Sequence, residues 1–339
     1  MASTPFHVFD PLFSDEQAEA MVDLCQSFGG YGMYSEEGTA DDWDTGLPQR
    51  FDAAFNFVAT GGRFAREEPV HVLAARTNYF RETYAYRDEI HAPEIEPFHH
   101  FEGFLEAARK VHGGSIVQPA ISYANLLVPG QELAVHTDVP EFRGMSRMDS
   151  PQWLLVVMHH SGLFDPWRMR IATAISYFGE CGGGALAFYP DGREAPPKTL
   201  EARHNTAILL DTDTVFHGVD RVSEVRVPIA ELRPGMRLVY EKEGSWRVGP
   251  PEKPIARYQA DDVRFSVSWK AYCYADAAEE HTVLQHTDDL EREGVLERLF
   301  SDLRARGRLG DEMPERRELA LMLVDEYVKF PPAAPAAGA

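Results

Sequence analysis

The chain has 339 residues, of which 44% are hydrophobic, and a net charge of −21 at pH 7. This composition predicts a globular protein with a packed core, and so negative a surface disfavours nucleic acid and anionic membranes as partners. The three cysteines, Cys25, Cys181 and Cys273, are too far apart for a disulfide framework or a paired-cysteine metal site. No secretory signal and no apolar stretch of ~20 residues stands out, so we expect a cytoplasmic protein.

Residues 1–114 predict a helical and loop region that packs on the rest of the chain. After a short strand, Ser14 and Gln17 form a capping box that predicts the first helix. Residues 29–70 are rich in Gly, Asp and aromatic residues, which predicts loops crossed by short strands. Apolar residues at helical spacing predict two more helices, over 76–89 and 98–111.

From residue 115 to 276 the pattern changes to short β-type segments separated by Gly and Pro. Because no long helical segments alternate with these strands, an antiparallel sandwich or barrel is favoured over a parallel sheet. An insertion near 146–168 contains an apolar stretch that fits either a helix or a buried strand. The predicted strands cover 116–122, 125–128, 132–136, 169–177, 185–189, 206–210, 217–222, 237–241 and 263–274.

The C-terminal region, 277–330, predicts two amphipathic helices, over 289–306 and 313–328. These helices could pack on the core or on a second copy of the chain, which would make a homodimer. The last residues, 331–339, are of low complexity and are expected to be disordered.

A histidine followed two residues later by an acidic residue is a candidate metal site, but composition alone yields such triplets. With 13 His and 54 Asp+Glu in the chain, about two are expected by chance, and three occur. His100 and Glu102 diverge around a predicted helix, and the triplet His286-Thr287-Asp288 is placed to provide a helix N-cap. Only His136-Thr137-Asp138 ends a predicted strand, where residues i and i+2 share a face.

Two ligands hold a divalent ion weakly, so a third is expected from a neighbouring strand. His217 is the best candidate, because it begins a strand after an apolar segment and a polar turn. Together with His136 and Asp138 it would leave three positions open on an octahedral ion, an arrangement that suits Fe(II) oxygenases. A structural zinc site would use four protein ligands and preferably cysteines.

Four motifs, taken in order, resemble those of a known family. They are His136-Thr137-Asp138, the strand and GGALAF segment within 171–190, His217, and Arg264-Phe265-Ser266. In this order they resemble the Fe(II)- and 2-oxoglutarate-dependent oxygenases of the prolyl-hydroxylase-like and phytanoyl-hydroxylase-like branch. The likeness covers about residues 115–275. It implies a mainly β fold with flanking helices (α+β) around a double-stranded β-helix core, the jelly roll also found in cupins.

The resemblance assigns roles to these residues. The three candidate ligands would hold Fe(II), and Arg264 would bind the distal carboxylate of the cosubstrate 2-oxoglutarate through its guanidinium fork. The family's arginine usually follows the distal histidine more closely, as Arg226 does here at nine residues. Arg264 lies 47 residues after His217, so choosing it makes 227–259 an insertion.

We prefer Arg264, because Arg264 and Ser266 share one face of a predicted strand and can both meet one carboxylate. Arg226, in contrast, precedes a proline and charged loop sequence. Tyr123 or Asn125, on the strand before the histidine motif, would add a further contact to the cosubstrate, although core packing explains Tyr123 equally well.

The resemblance also implies the reaction: O2 and 2-oxoglutarate are consumed, succinate is released and a small-molecule substrate is oxidised. Hydroxylation, desaturation or ring closure is expected rather than halogenation, because halogenating relatives have Gly or Ala in place of the carboxylate that Asp138 provides. The regions flanking the core predict a closed pocket, which favours a free metabolite such as an amino acid or a natural-product intermediate of secondary metabolism. Two other functions stay open: a cupin-like metalloenzyme that does not use 2-oxoglutarate, and a non-catalytic jelly-roll binding protein.

Overall fold

The computed structural model describes residues 3–34, 43–223, 232, 235–241 and 244–333. Its strands are β1 (Phe6–Phe9), β2 (Tyr31–Met33), β3 (Phe80–Tyr86), β4 (Glu89–Ile90), β5 (Ile116–Leu127), β6 (Leu133–His136), β7 (Arg170–Phe178), β8 (Leu186–Phe188), β9 (Lys198–Leu200), β10 (Thr206–Leu210), β11 (His217–Val219), β12 (Arg237–Glu241), β13 (Ser245–Val248), β14 (Ala256–Gln259) and β15 (Arg264–Tyr274). Its helices are α1 (Asp15–Ser27), α2 (Phe51–Thr60), α3 (Val70–Arg76), α4 (Glu96–His99), α5 (Glu102–His112), α6 (Gln152–Ser161), α7 (Ala277–Leu284), α8 (Arg292–Ala305) and α9 (Arg316–Tyr327). No helix in these ranges is both long enough and apolar enough to cross a membrane.

Eight of the strands form two facing antiparallel sheets. In chain order they are β5, β6, β7, β8, β9, β10, β11 and β15. Counted from one to eight, they are ordered 6-3-8-1 in one sheet and 2-7-4-5 in the other, which is the arrangement of a jelly roll. Apolar side chains of β7 and β10 meet those of β8 and β9 in a shared core. The strand order confirms the double-stranded β-helix that the sequence predicted.

The larger sheet is extended on both sides by strands from outside these eight. β1 pairs with β10 at one edge, while β3, β2, β12, β13 and β14 follow β5 at the other. The face turned away from the second sheet packs on α1, α4 and α5 in an apolar core that includes Phe104 and Trp269. Ser14 caps α1 as predicted, because Ser14 and Gln17 each accept a hydrogen bond from the other's backbone N–H.

A second apolar core joins the predicted insertion near 146–168 to the C-terminal helices. Part of that insertion forms helix α6, one of the two alternatives that the sequence left open. Trp153 of α6 belongs to the same buried cluster as Leu299 of α8 and Leu323 of α9. Within the described part of 227–259, the chain forms the meander β12–β13–β14. Arg226, the alternative cosubstrate residue, lies outside the described residues.

Four local predictions are wrong. Residues 29–70, predicted as loops crossed by short strands, contain helix α2 as well as strand β2. The segment predicted as a helix over 76–89 contains strand β3, which pairs with β2 and β5, because its threonine and aromatic residues fit a sheet and find strand partners there. The helix predicted over 98–111 is divided into α4 and α5. The triplet His286-Thr287-Asp288 does not cap a helix, since α8 begins only at Arg292.

Phe104 is expected to be one of the largest single contributors to the apolar core beneath the larger sheet. Its ring is fully buried and lies 5.2 Å from the ring of Phe98 and 5.3 Å from that of Trp269, between centroids. Phe104→Ala should lower the free energy of unfolding by about 3–5 kcal/mol, because it leaves a cavity that the sheet cannot fill. Urea unfolding followed by tryptophan fluorescence measures this change. The matched control, Phe55→Ala, removes a ring that is 47% exposed and should cost less than about 1 kcal/mol; equal losses would contradict the assignment.

Candidate metal centre

The two predicted histidine ligands lie opposite each other on neighbouring strands. His136 is the last residue of β6 and His217 is the first residue of β11, and the two are register partners in the smaller sheet. Their ring centroids are 4.5 Å apart. Gly218 makes this approach feasible, because a Cβ on it would lie 2.9 Å from the Leu133 carbonyl oxygen on β6.

Asp138 completes a set of three donor atoms. Its Oδ1 lies 3.5 Å from Nε2 of His136 and 3.6 Å from Nε2 of His217, and one donor atom from each residue lies within 4.8 Å of the others. The backbone supports Asp138 as well, because its N–H donates to the carbonyl of Thr212 at 2.9 Å. The structure thus brings together the three residues that the sequence predicted as metal ligands.

Backbone carbonyls orient both imidazoles in the same way. Nδ1 of His136 donates to the carbonyl of Ala134 at 2.6 Å, and Nδ1 of His217 donates to the carbonyl of Val215 at 3.0 Å. A proton on Nδ1 leaves the Nε2 lone pair free to face a cation, which is the usual support for a metal-binding histidine. Burial lowers the pKa of His217 to about 4, so this ring is neutral at pH 7. The donor set of two imidazoles and a carboxylate therefore fits a divalent metal ion.

Lys270 is a neighbour of the site that the sequence analysis missed. Its Nζ lies 2.7 Å from Oδ2 of Asp138, the carboxylate oxygen that does not face the histidines. Burial would raise the pKa of Asp138, but Lys270 and the imidazoles bring it well below its usual value. Asp138 is therefore an ionised ligand, with Oδ1 directed to the metal position and Oδ2 held by the lysine. One feature of the sequence could have indicated this contact. Lys270 is a charged residue within a mostly apolar strand, and it shares a face of that strand with Arg264 and Ser266.

Asp213 is a second acid near the lysine, and its surroundings differ from those of Asp138. Burial raises the pKa of Asp213 well above its usual value, which favours its neutral form. Neither of its oxygens has a hydrogen-bond partner among the described residues. Asp211, in contrast, accepts bonds from the backbone N–H groups of Asp213 and Thr214, which is the turn role that the sequence suggested. Asp138 is thus the charged carboxylate next to the two histidines.

The other predicted residues lie deeper between the two sheets. Asn125 of β5, Ser266 of β15 and Tyr177 of β7 are register partners across the larger sheet, and paired residues point to the same face. Arg264, two residues before Ser266, is fully buried. Its Nε donates to the Gly184 carbonyl at 2.8 Å and its Nη1 donates to Oγ of Ser266 at 3.1 Å.

Tyr177 is a further group that the sequence analysis did not find. The guanidinium carbon of Arg264 lies 5.0 Å from the centre of its ring, but the Tyr177 hydroxyl has no partner at hydrogen-bond geometry within the described part of the chain. Burial raises the pKa of Tyr177, so the hydroxyl keeps its proton and can donate it. A buried guanidinium beside a buried hydroxyl that lacks an acceptor fits a carboxylate ligand.

A cavity of about 760 Å³ opens onto two of the three candidate metal ligands. His136, Asp138, Lys270 and Tyr123 line it, together with residues of the α2 region and of the segment before α6. Arg264, Ser266 and Asn125 are not among its lining residues. The structure thus places Tyr123 in the cavity with two metal ligands, and places the other three predicted cosubstrate residues behind it.

Removal of one imidazole should abolish tight metal binding. His217→Ala takes away one of three protein donors. Loss of an outer hydrogen-bond partner of a ligand alone lowers metal affinity by up to about 100-fold, so we expect loss of the ligand itself to lower the affinity for Co(II) or Fe(II) by at least about 100-fold. Anaerobic titration calorimetry measures the affinity. His100→Ala is the matched control, because His100 belongs to a triplet of the same type but is exposed on the surface. A wild-type affinity in His217→Ala would contradict the site.

Comparison with known proteins gives structural likeness only. No family model matches the sequence, and no curated protein matches it. Among solved structures, the fold is similar to a prolyl hydroxylase from Trichoplax adhaerens in complex with a hypoxia inducible factor oxygen degradation domain peptide fragment, at a TM-score of 0.42 and 11% identity, over 82% of this chain and 86% of that one. HygX from Streptomyces hygroscopicus with nickel, 2-oxoglutarate and hygromycin B bound gives a TM-score of 0.39 and 11% identity, over 80% of this chain and 84% of that one. An oxidoreductase of the 2OG-Fe(II) oxygenase family from Burkholderia pseudomallei gives 0.35 and 11%, over 78% of this chain and 94% of that one. TM-scores this low carry no argument about function, which has to rest on the residues of the site.

Proposed function

We propose that the chain is an Fe(II)- and 2-oxoglutarate-dependent oxygenase that oxidises a small molecule and releases succinate. The observation that carries this proposal is the set formed by His136, Asp138 and His217, which the pairing of β6 with β11 brings together and of which His136 and Asp138 line a cavity. The ordered motifs in the sequence, from the histidine motif to Arg264, support the same function by resemblance.

The donor set is the reason to propose iron rather than a structural metal. Three protein ligands leave positions open for a cosubstrate and O2, whereas a structural zinc site is closed by four. When bound, Fe(II) would supply the redox chemistry that couples decarboxylation of 2-oxoglutarate to oxidation of the substrate. Other groups of this chain orient the three ligand side chains: the Ala134 and Val215 carbonyls hold the two imidazole rings, and Lys270 holds the carboxylate.

The cosubstrate's distal carboxylate would be held by Arg264, Ser266 and Tyr177. All three side chains lie on the inner face of the larger sheet and are buried, so an ion pair formed there is protected from water. A guanidinium can donate two parallel hydrogen bonds to one carboxylate, and the Tyr177 hydroxyl can add a further one. The Ser266 hydroxyl donates to the Asn125 carbonyl at 3.3 Å and would have to turn from it to do the same. Asn125 donates one of its two amide hydrogens to Oγ of Ser268 at 3.2 Å, which leaves the second for the cosubstrate.

The cavity supports a small molecule as the substrate. Its volume of about 760 Å³ lies within the range of small-molecule sites. Because Asp138 keeps its carboxylate, hydroxylation, desaturation or ring closure is the expected reaction, as the resemblance implies. A free metabolite, such as an amino acid or a natural-product intermediate, fits such a cavity better than a protein chain does.

One observation favours a second candidate, a metalloenzyme of the same fold that does not use 2-oxoglutarate. Arg264 already donates to Gly184 and Ser266, and it does not line the cavity. In that case the arginine would be a structural group. The two candidates differ in whether Arg264 is needed for binding of 2-oxoglutarate, which can be measured directly.

Arg264→Met is expected to weaken 2-oxoglutarate binding at least about 100-fold, since two hydrogen bonds to a charged group contribute about 1.5–3 kcal/mol each. Binding is followed anaerobically by the visible charge-transfer band that 2-oxoglutarate produces on chelating Fe(II), and turnover by succinate release under air. Metal affinity should not change. Arg203→Met, which removes an exposed arginine paired with Asp10, is the control. If the wild-type protein shows neither the band nor succinate, the second candidate is favoured.

Gly184→Ala should also weaken 2-oxoglutarate binding, but less than Arg264→Met does. Gly184 has a φ of +69°, and a Cβ on it would lie 2.7 Å from Cδ of Arg264, so the arginine would have to move. We expect the dissociation constant of 2-oxoglutarate to rise about tenfold, with unchanged metal affinity. Gly179→Ala is the matched control, because Gly179 has a similar φ of +73° but no atom within 4 Å of the place that an added methyl group would take. Equal constants for the two variants would argue against Arg264 as the binding residue.

A further inference from the structure

A second arginine, Arg81, faces the cavity from outside the eight strands of the jelly roll. It lies on β3, opposite Asn125 of β5, and its side chain lines the cavity together with His136 and Asp138. Because the sequence predicts a helix over this segment, no local pattern indicates that Arg81 shares a cavity with the metal ligands.

Arg81 has no acidic partner among the described residues, whereas Arg50, which also lines the cavity, pairs with Asp52. Arg81 is half-buried where it lines the cavity, so its guanidinium is partly removed from water without a counter-ion, which is costly for a purely structural arginine. Burial would lower the pKa of Arg81, but the neighbouring tyrosines more than offset this effect, and the guanidinium is charged. An anion from outside the chain would complete its surroundings.

Tyrosines form the walls around this guanidinium. Its central carbon lies 3.8 Å from the ring centre of Tyr123 and 5.7 Å from that of Tyr34. The rings of Tyr34 and Tyr79 are stacked, with centroids 4.9 Å apart. Burial raises the pKa of Tyr79 more than the charge of Arg81 lowers it, so the hydroxyl of Tyr79 keeps its proton. Aromatic faces and a hydroxyl donor beside a guanidinium suit a planar acid.

We propose that Arg81, with Tyr79 and Tyr123, binds the carboxylate of the substrate, and that the substrate is an aromatic carboxylic acid. Calling this ligand a substrate rests on the proposed oxygenase function, whereas the carboxylate site itself does not depend on that function. The cosubstrate's carboxylate is assigned to Arg264, which lies on β15 with β5 between it and Arg81. Arg81 lines the open cavity and Arg264 does not, so the two arginines serve different carboxylates.

Phenylacetate and its neutral analogue phenylacetamide test this site. Both are titrated anaerobically into the protein loaded with Fe(II) and 2-oxoglutarate, with calorimetry for affinity and the charge-transfer band for the metal site. We expect wild-type protein to bind phenylacetate at least about tenfold more tightly than phenylacetamide, and Arg81→Met to lose this preference. Tyr79→Phe, which removes only a hydroxyl, should weaken phenylacetate binding a few-fold. Arg109→Met on the surface of α5 should change nothing.

The outcomes separate this inference from the proposed function. If Arg81→Met loses the 2-oxoglutarate band while Arg264→Met keeps it, Arg81 binds the cosubstrate and the inference is overturned. Equal binding of phenylacetate by wild type and Arg81→Met, or no binding by wild type, overturns it as well. If wild type shows no band but still binds phenylacetate through Arg81, the carboxylate site stands and the oxygenase proposal fails. Circular dichroism and thermal unfolding confirm that Arg81→Met and Tyr79→Phe are folded.

Discussion

The pairing of β6 with β11 is the constraint on which the site depends. It sets His136 directly opposite His217, and a slip of one residue would turn one imidazole to the opposite face of the sheet. Two local features hold this register. Gly218 leaves room for the close approach of the strands, and each histidine donates from Nδ1 to a carbonyl two residues earlier in its own chain segment. Because both bonds are made to the backbone, the orientation of the rings follows from the fold itself, before any metal binds.

The two faces of strand β15 carry different kinds of residue. The residues at odd positions, such as Trp269, are apolar and pack on the helices beneath the larger sheet, while Arg264, Ser266 and Lys270 point between the two sheets. Such a polar row is costly in a buried strand unless each group finds a partner. Arg264 finds a carbonyl and a hydroxyl, and Lys270 finds Asp138. The lysine links the strand that carries the proposed cosubstrate residues to the carboxylate of the metal set, so the two parts of the site are mechanically connected.

The metal set could be predicted from the sequence because its residues carry local signatures: a histidine motif at a strand end, and a histidine after a polar turn. Short strands without intervening helices predicted an antiparallel sandwich or barrel, and the family resemblance implied the jelly roll. Arg81 could not be found in this way, because residues 76–89 have apolar spacing compatible with a helix, and only the pairing of β3 with β5 reveals which face Arg81 occupies. The position of Tyr177 beside Arg264 likewise depends on pairing between β7 and β15, whose strands are far apart in the chain. Local pattern specifies the periodicity of a strand, but its neighbours in the sheet are decided by packing of the whole fold.

The glycine-rich segment before β8 gives a physical reason to prefer Arg264 over Arg226. From spacing alone Arg226 is the better match, and it lies outside the described residues. Gly184, however, stands where a Cβ would meet the Arg264 side chain, and its carbonyl accepts a hydrogen bond from that side chain. The side chain of Arg264 therefore requires glycine at position 184, since any larger residue there would displace the guanidinium from Tyr177 and Ser266. Two motifs that are separated by 80 residues in the sequence thus form one contact in the fold.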